Sequence, residues 1–90
     1  MKIWATIIIK TKITTDCTIE FESIVKPDVI DWVYMIGEIC QQLNIERPVI
    51  LRKHINELNE FSTTGFTEDD FMDQIAFDKF GIEALREKEQ

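Results

Sequence analysis

The side chains of this 90-residue chain that are best suited to binding chemistry lie at the end of a short apolar run. His54 is the only histidine, and it directly follows Arg52 and Lys53, with Arg47 a few positions earlier. Cationic side chains grouped in this way can hold a phosphate or a carboxylate. We therefore consider Arg47, Arg52, Lys53 and His54 a candidate anion-binding patch. The alternative is that they are ordinary surface charges that offset nearby acids.

Patterns typical of catalysis or metal binding are missing from the sequence. It has no GxSxG motif, no glycine-rich phosphate loop and no paired cysteine and histidine with a group to orient them. One histidine with two distant cysteines does not supply a metal site, and the TEDD segment at 67–70 lacks EF-hand spacing. Cys17 and Cys40 fall on predicted apolar faces and are interpreted as buried hydrophobic residues. We predict no enzyme activity, no metal and no cofactor.

The formal net charge of −7 bears on the class of partner. Proteins that bind nucleic acid usually present a basic surface, so we expect no nucleic-acid partner. Acids without any base occupy the segment 56–73, namely Glu57, Glu60, Glu68, Asp69, Asp70 and Asp73. A solvated face explains this segment. If its acids formed one continuous face, an inhibitor that mimics nucleic acid would be an alternative.

The length corresponds to a single domain over residues 1–90, with a polar tail at about 87–90. No apolar run approaches the roughly 18 residues of a membrane helix, and the N-terminus does not resemble a signal peptide. We expect a cytoplasmic protein without a membrane partner.

The first half of the chain predicts a β-hairpin followed by an amphipathic helix. Residues 2–10 and 13–21 are β-branched runs, whereas the apolar period over 29–43 is 3.6, with Pro27 as the first helical residue. Gly37, inside this helix, predicts a close approach to the sheet. The faces of the first strand are expected to hold Ile3, Ala5, Ile7 and Ile9 on one side and Trp4, Thr6 and Ile8 on the other. The second strand is expected to place Ile13, Thr15, Cys17, Ile19 and Phe21 together.

The second half predicts shorter elements. The apolar run Val49–Leu51 indicates a third strand, and the spacing of apolar residues over 54–61 indicates a short helix. Residues 62–66 are predicted to form a loop and residues 68–73 a helical turn with capping-box spacing. The alternation from Phe80 to Ala84 predicts the closing strand.

This order of elements resembles β-grasp, ubiquitin-like domains. The similarity rests on the opening MKIWATIII, a helix after about two dozen residues, the PVIL segment and a late turn before the last strand. It implies an α+β fold with a β-grasp-like mixed sheet (β-β-α-β-short α-β) packed on one main helix. The last strand would then lie beside the first and parallel to it. The chain lacks a Gly-Gly tail, so nothing supports conjugation to other proteins.

The chain also resembles a group of short bacterial proteins of about this length, a resemblance that implies no activity. The residues that carry it are Ile3-Trp4-Ala5, Pro48-Val49-Ile50-Leu51, Lys53-His54, Phe61, Thr64-Gly65-Phe66, Asp70-Phe71 and Phe77-Asp78.

The face of the first strand turned away from the helix decides the functional prediction. Trp4 and Ile8, with Ile50, could form an exposed apolar patch, or residues 52–75 could fold back and cover them. The leading hypothesis is a non-catalytic protein-interaction module that binds another protein or, as a homodimer, a second copy of itself through this sheet face. The alternatives are a domain that binds an anionic ligand at the basic patch and the acidic nucleic-acid mimic.

Overall fold

The computed structural model describes residues 2–21 and 31–85. These ranges contain four strands, two helices and one 3-10 turn. In chain order they are β1 (Lys2–Ile9), β2 (Lys12–Glu20), α1 (Trp32–Leu43), α2 (Arg52–Phe61), β3 (Thr63–Thr67), the 3-10 turn (Glu68–Asp70) and β4 (Lys79–Leu85). The predicted α+β class is confirmed.

The four strands form one antiparallel sheet in the order β2-β1-β4-β3. A two-residue turn joins β1 to β2, and both of its residues, Lys10 and Thr11, have positive φ angles. Such turns match the twist of a hairpin but usually contain Asn or Gly. Asp78 supports this one from outside, because its carboxylate accepts a hydrogen bond from the Lys10 N–H at 2.7 Å and its own N–H donates to the Ile8 carbonyl.

One face of the sheet, which we call the inner face, packs against both helices. Alternating residues of β1 and β4 enter the core there, together with the apolar stripe of α1 and with Leu58 from α2. The helices are also joined directly, since the Trp32 indole N–H donates to Asn59 Oδ1 at 2.7 Å. The inner face contributes Ile3, Ala5, Ile7, Phe66, Phe80, Ile82 and Ala84 to the core.

Three predicted features of the sheet are wrong. The closing strand does lie beside the first, but the two are antiparallel rather than parallel. Val49–Leu51 is not a strand; the Val49 N–H donates to the Asp70 carbonyl instead. The predicted loop at 62–66 contains most of β3, in which Thr64 and Phe66 point inward. The β-grasp resemblance is therefore not supported beyond the α+β class.

The main helix also differs in detail from its prediction. It begins at Trp32, because Asp31 has a non-helical backbone and caps the helix by accepting a hydrogen bond from the Tyr34 N–H at 3.1 Å. The predicted start at Pro27 lies outside the described residues. The Arg47 guanidinium, rather than the sheet, occupies the space beside Gly37, where a Cβ would lie 2.9 Å from Cζ. Neither of the described helices is long and apolar enough to cross a membrane.

Candidate functional site

The opposite face of the sheet, the outer face, stays open over the described part of the chain. Successive strand residues point to opposite faces, so Trp4, Thr6 and Ile8 project away from the core. Trp4 and Ile8 are half-buried, and neither packs against the core cluster. Of the apolar residues in 52–75 that could cover them, Leu58, Phe66 and Phe71 lie in that cluster, whereas Phe61 lies beside the outer face. Residues 52–75 therefore border the outer face at Phe61 but do not fold over it as a layer.

Two glycines form the floor of a groove on this outer face. Thr6 of β1 pairs with Gly81 of β4, and Gly81 pairs with Gly65 of β3, so the three residues make one row across the sheet. A Cβ at Gly81 would lie 2.7 Å from Thr6 Oγ1, and a Cβ at Gly65 would collide with Cε of Lys79, so the Thr6 hydroxyl and the Lys79 side chain lie over the two glycines. A groove of about 430 Å³ is lined by these residues.

Larger side chains border this groove. On one side of the row lie Trp4 and Glu83, which are register partners, and on the other side lie Ile8 and Lys79. The Trp4 indole is fixed from β2, because its Nε1–H donates to Asp16 Oδ2 at 2.9 Å. Phe61, which is 66% exposed, lines the groove from the end of α2. The site therefore has apolar walls and a floor in which two of the three positions are glycine.

The groove also carries charges of opposite sign. Lys79 and Glu83 are four residues apart on β4, so their Cα atoms are separated by about 13 Å, and they form no ion pair with each other. Both are exposed, and neither forms an ion pair with any residue in 2–21 or 31–85. Within the described ranges, Lys79 and Glu83 are thus available to a partner, and Glu57, which accepts a hydrogen bond from Thr64, adds a second carboxylate to the lining.

The structure does not group the predicted anion-binding residues as one surface patch. Arg52 and Lys53 are exposed at the start of α2, whereas Arg47 lies across Gly37 of α1. The His54 side chain is completely buried and faces the protein interior. Ile50 is likewise removed from Trp4 and Ile8, because it packs against the core on the helical side of the sheet.

His54 instead forms a buried polar pair with Asp70. The His54 Nδ1 accepts a hydrogen bond from the Leu51 N–H at 2.9 Å, and Asp70 Oδ2 accepts one from the Thr67 N–H at 2.9 Å. Each side chain therefore caps the backbone three residues before it. The two caps meet, with His54 Nε2 at 3.6 Å from Asp70 Oδ2, which is too long for a full hydrogen bond.

These contacts define the protonation state of the imidazole. Since Nδ1 accepts from a backbone N–H, the neutral ring carries its proton on Nε2, toward Asp70. Burial lowers the pKa of His54, and this effect outweighs the nearby carboxylates of Asp70 and Glu57, which act in the opposite direction. Both ring nitrogens face protein, so the imidazole is a structural group here.

The acidic segment and the cysteines offer no further site. Asp70 is buried and Glu57 borders the groove, where it accepts a hydrogen bond from Thr64, so the acids of 56–73 do not form one continuous surface. Burial raises the pKa of the Cys40 thiol to about 11, and it also raises the pKa of the half-buried Cys17. Both thiols are therefore weakly reactive. No group of three potential metal ligands occurs in the described ranges.

Comparison with known proteins adds no relative: no family model, no curated protein and no solved structure matches this chain.

Sequence reasoning missed the glycine floor of the groove. A glycine inside a strand often marks a place where something approaches the backbone closely, and Gly81 stands in the middle of the predicted closing strand. That signal was present. The matching role of Gly65 depends on β3 and could not be recognised while its segment was predicted to be a loop.

Proposed function

We propose that this domain is a non-catalytic interaction module that binds another polypeptide chain through the outer face of its sheet. The observation that carries the proposal is the groove over Thr6, Gly81 and Gly65, which no described element covers. Trp4 and Ile8 supply its apolar walls. Two thiols that are not joined in a disulfide, Cys17 and Cys40, support a cytoplasmic location as part of this proposal.

The chemistry of the groove suits a polypeptide. The glycine row leaves only the Thr6 hydroxyl and the flexible Lys79 side chain between a bound chain and the sheet, and the tryptophan provides the kind of anchor that dominates many protein interfaces. Full burial of a large apolar side chain stabilises a complex by about 1.5–3 kcal/mol, of which Trp4 and Ile8 have part still to gain because they are only half-buried. The free Lys79 and Glu83 would fix the orientation of the partner.

A random peptide library displayed on phage provides the test. Peptides selected on the wild-type protein should shift the amide resonances of β1, β3 and β4 and the Trp4 indole N–H. Trp4→Ala should weaken their binding at least tenfold. Val33→Ala is the matched control, because Val33 is an exposed apolar residue of α1 and should leave binding unchanged.

Two outcomes would contradict the proposal. One is a selection that enriches no sequence above the level of an unrelated immobilised protein. The other is a set of peptides whose resonance changes cluster around Arg47, Arg52 and Lys53, which would favour the anion-binding alternative instead.

A further inference from the structure

We infer that the polypeptide bound by the outer face places an arginine side chain at one end of the groove. This inference rests on the proposed function, because it names the chemistry of the partner for the same surface. It is carried by two aromatic rings and two carboxylates that come together there from three different elements. These residues are Trp4 of β1, Glu83 of β4, and Glu57 and Phe61 of α2, and all four line the groove.

The register of the sheet places one aromatic residue on each side of Glu83. Trp4 is the partner of Glu83 on β1, and Thr63 is its partner on β3, so the three residues form one row next to the glycine row. Neighbouring strands lie about 4.8 Å apart. Phe61 ends α2 only two residues before Thr63. The Glu83 side chain therefore stands between Trp4 on the β1 side and Phe61 on the β3 side.

A second carboxylate reaches the same end of the groove from α2. Glu57 and Phe61 are four residues apart in that helix, so they lie on the same face of it. The Thr64 hydroxyl donates a hydrogen bond to Glu57 Oε1 at 2.5 Å and holds this carboxylate beside β3. Neither Glu57 nor Glu83 forms an ion pair within the described part of the chain. Both negative charges are thus available to a cationic group of the partner.

A guanidinium group suits this combination of side chains better than the other groups that a polypeptide offers. Its planar face stacks on aromatic rings, while its N–H groups donate to carboxylates in the plane of the group. A lysine ammonium has the same charge, but it is compact and strongly hydrated and gains less from aromatic walls. An apolar side chain would leave the two carboxylates partly desolvated and unpaired, which costs free energy. The net charge of −7 also favours a basic segment in the partner.

Two small probes test the site before any partner is identified. N-acetyl-arginine amide, titrated at constant ionic strength, should shift the Trp4 indole N–H resonance and the amides of Phe61 and Glu83. N-acetyl-citrulline amide has nearly the same shape but no charge, and its shifts at the same concentration should be at least fivefold smaller. The Trp32 indole N–H is the internal reference, because it is buried and bonded to Asn59, and it should not respond to either probe.

A double-mutant cycle tests the contact within a complete complex. For a selected peptide that contains arginine, Glu83→Gln should weaken binding about fivefold, and so should citrulline in place of that arginine. The two changes together should weaken binding little more than either alone, because both remove the same contact. The matched control is Glu46→Gln, which removes an exposed carboxylate that does not line the groove and should change the dissociation constant less than twofold. Circular dichroism establishes that each variant is folded.

Failure of this inference can be distinguished from failure of the proposed function. Selected peptides that bind the outer face without an enriched arginine, or whose arginine can be replaced by citrulline without loss, would overturn the arginine assignment alone. Equal shifts from the two small probes would overturn it as well, and so would a Trp4 indole that responds to spermidine but not to N-acetyl-arginine amide. A library that yields no peptide, while the two small probes still differ at Trp4, would contradict the proposed function but not the cation site.

Discussion

The buried pair of His54 and Asp70 predicts that acid weakens the fold within a defined pH range. In the unfolded chain His54 has its ordinary pKa of 6.5, whereas burial lowers the pKa of His54 in the folded protein. Above pH 6.5 the imidazole is neutral in both states. As the pH falls below 6.5, the unfolded chain binds a proton that the folded protein does not, so the free energy of unfolding decreases until the lower, folded pKa is passed.

The hydrogen bonds indicate the size of this effect. A proton on Nδ1 converts the acceptor of the Leu51 N–H into a donor, so one hydrogen bond is lost and two donors face each other. The bond contributes about 1 kcal/mol, and an unsatisfied buried donor costs about 1–3 kcal/mol. Attraction of the imidazolium to Asp70 and Glu57 offsets part of this destabilisation, whereas repulsion by Lys53 adds to it. We expect a net loss on the order of 1–2 kcal/mol.

Urea unfolding at pH 7.5, 6.5, 5.5 and 5.0 measures the effect, with His54→Asn as the reference. The Asn side-chain oxygen can still accept from the Leu51 N–H but does not titrate. The difference in unfolding free energy between wild type and His54→Asn should shrink as the pH falls. Parallel curves for the two proteins, or a wild type that gains stability toward pH 5.0, would refute this account of the pair.

Three further predictions concern the core, the hairpin turn and the thiols. Leu58→Ala removes a completely buried side chain that connects α2 to the core, and it should lower the free energy of unfolding in urea by about 2–5 kcal/mol; a loss below 1 kcal/mol would contradict this packing. Thr11→Gly removes a β-branched side chain at φ 66°, so it should raise the free energy of unfolding by about 1 kcal/mol and the melting temperature with it. A lower melting temperature would contradict the left-handed conformation of Thr11 in this turn. Cys40 is completely buried and its pKa is raised to about 11, so at pH 8 it should react with a thiol reagent much more slowly than Cys17, at a rate limited by unfolding. Equal reaction rates for the two thiols would show that Cys40 is accessible.

Most of the individual elements could be predicted from local patterns. Periods of two and 3.6 predict the hairpin β1–β2, the helix over 54–61 and the strand over 80–84, and the structure confirms them with ends shifted by at most two residues. Asn44 ends α1 in the left-handed conformation, which asparagine adopts more readily than most residues. These features depend on neighbours in the sequence, which is why sequence reasoning reaches them.

The errors concern features that depend on distant contacts. β3 has the composition of a loop, and it is a strand because β4 supplies the partner for Thr63–Thr67. A shift in register after Ile7 pairs Ile13 with Ile8 of the outer face, away from the side predicted for it. The direction of β4 relative to β1 likewise has no local signature.

For His54, the helical spacing indicated a buried position, whereas the charged neighbours indicated a surface one. Its neighbours Arg52 and Lys53 suggested a charged surface, yet His54 and Leu58 are four residues apart on α2 and both are buried. The helical period therefore indicated the buried face. The two adjacent cations suggested the opposite, and the reason that a histidine suits this buried position is its distant partner, Asp70.

The central claim is that the outer face of the sheet is an interaction surface, and amide NMR spectra recorded while a phage-selected peptide is titrated into the protein test it most directly. The account predicts resonance changes confined to β1, β3 and β4 and to the Trp4 indole N–H, with α1 unaffected. Changes concentrated on α1 or around Arg52 and Lys53, with the outer face constant, would contradict it.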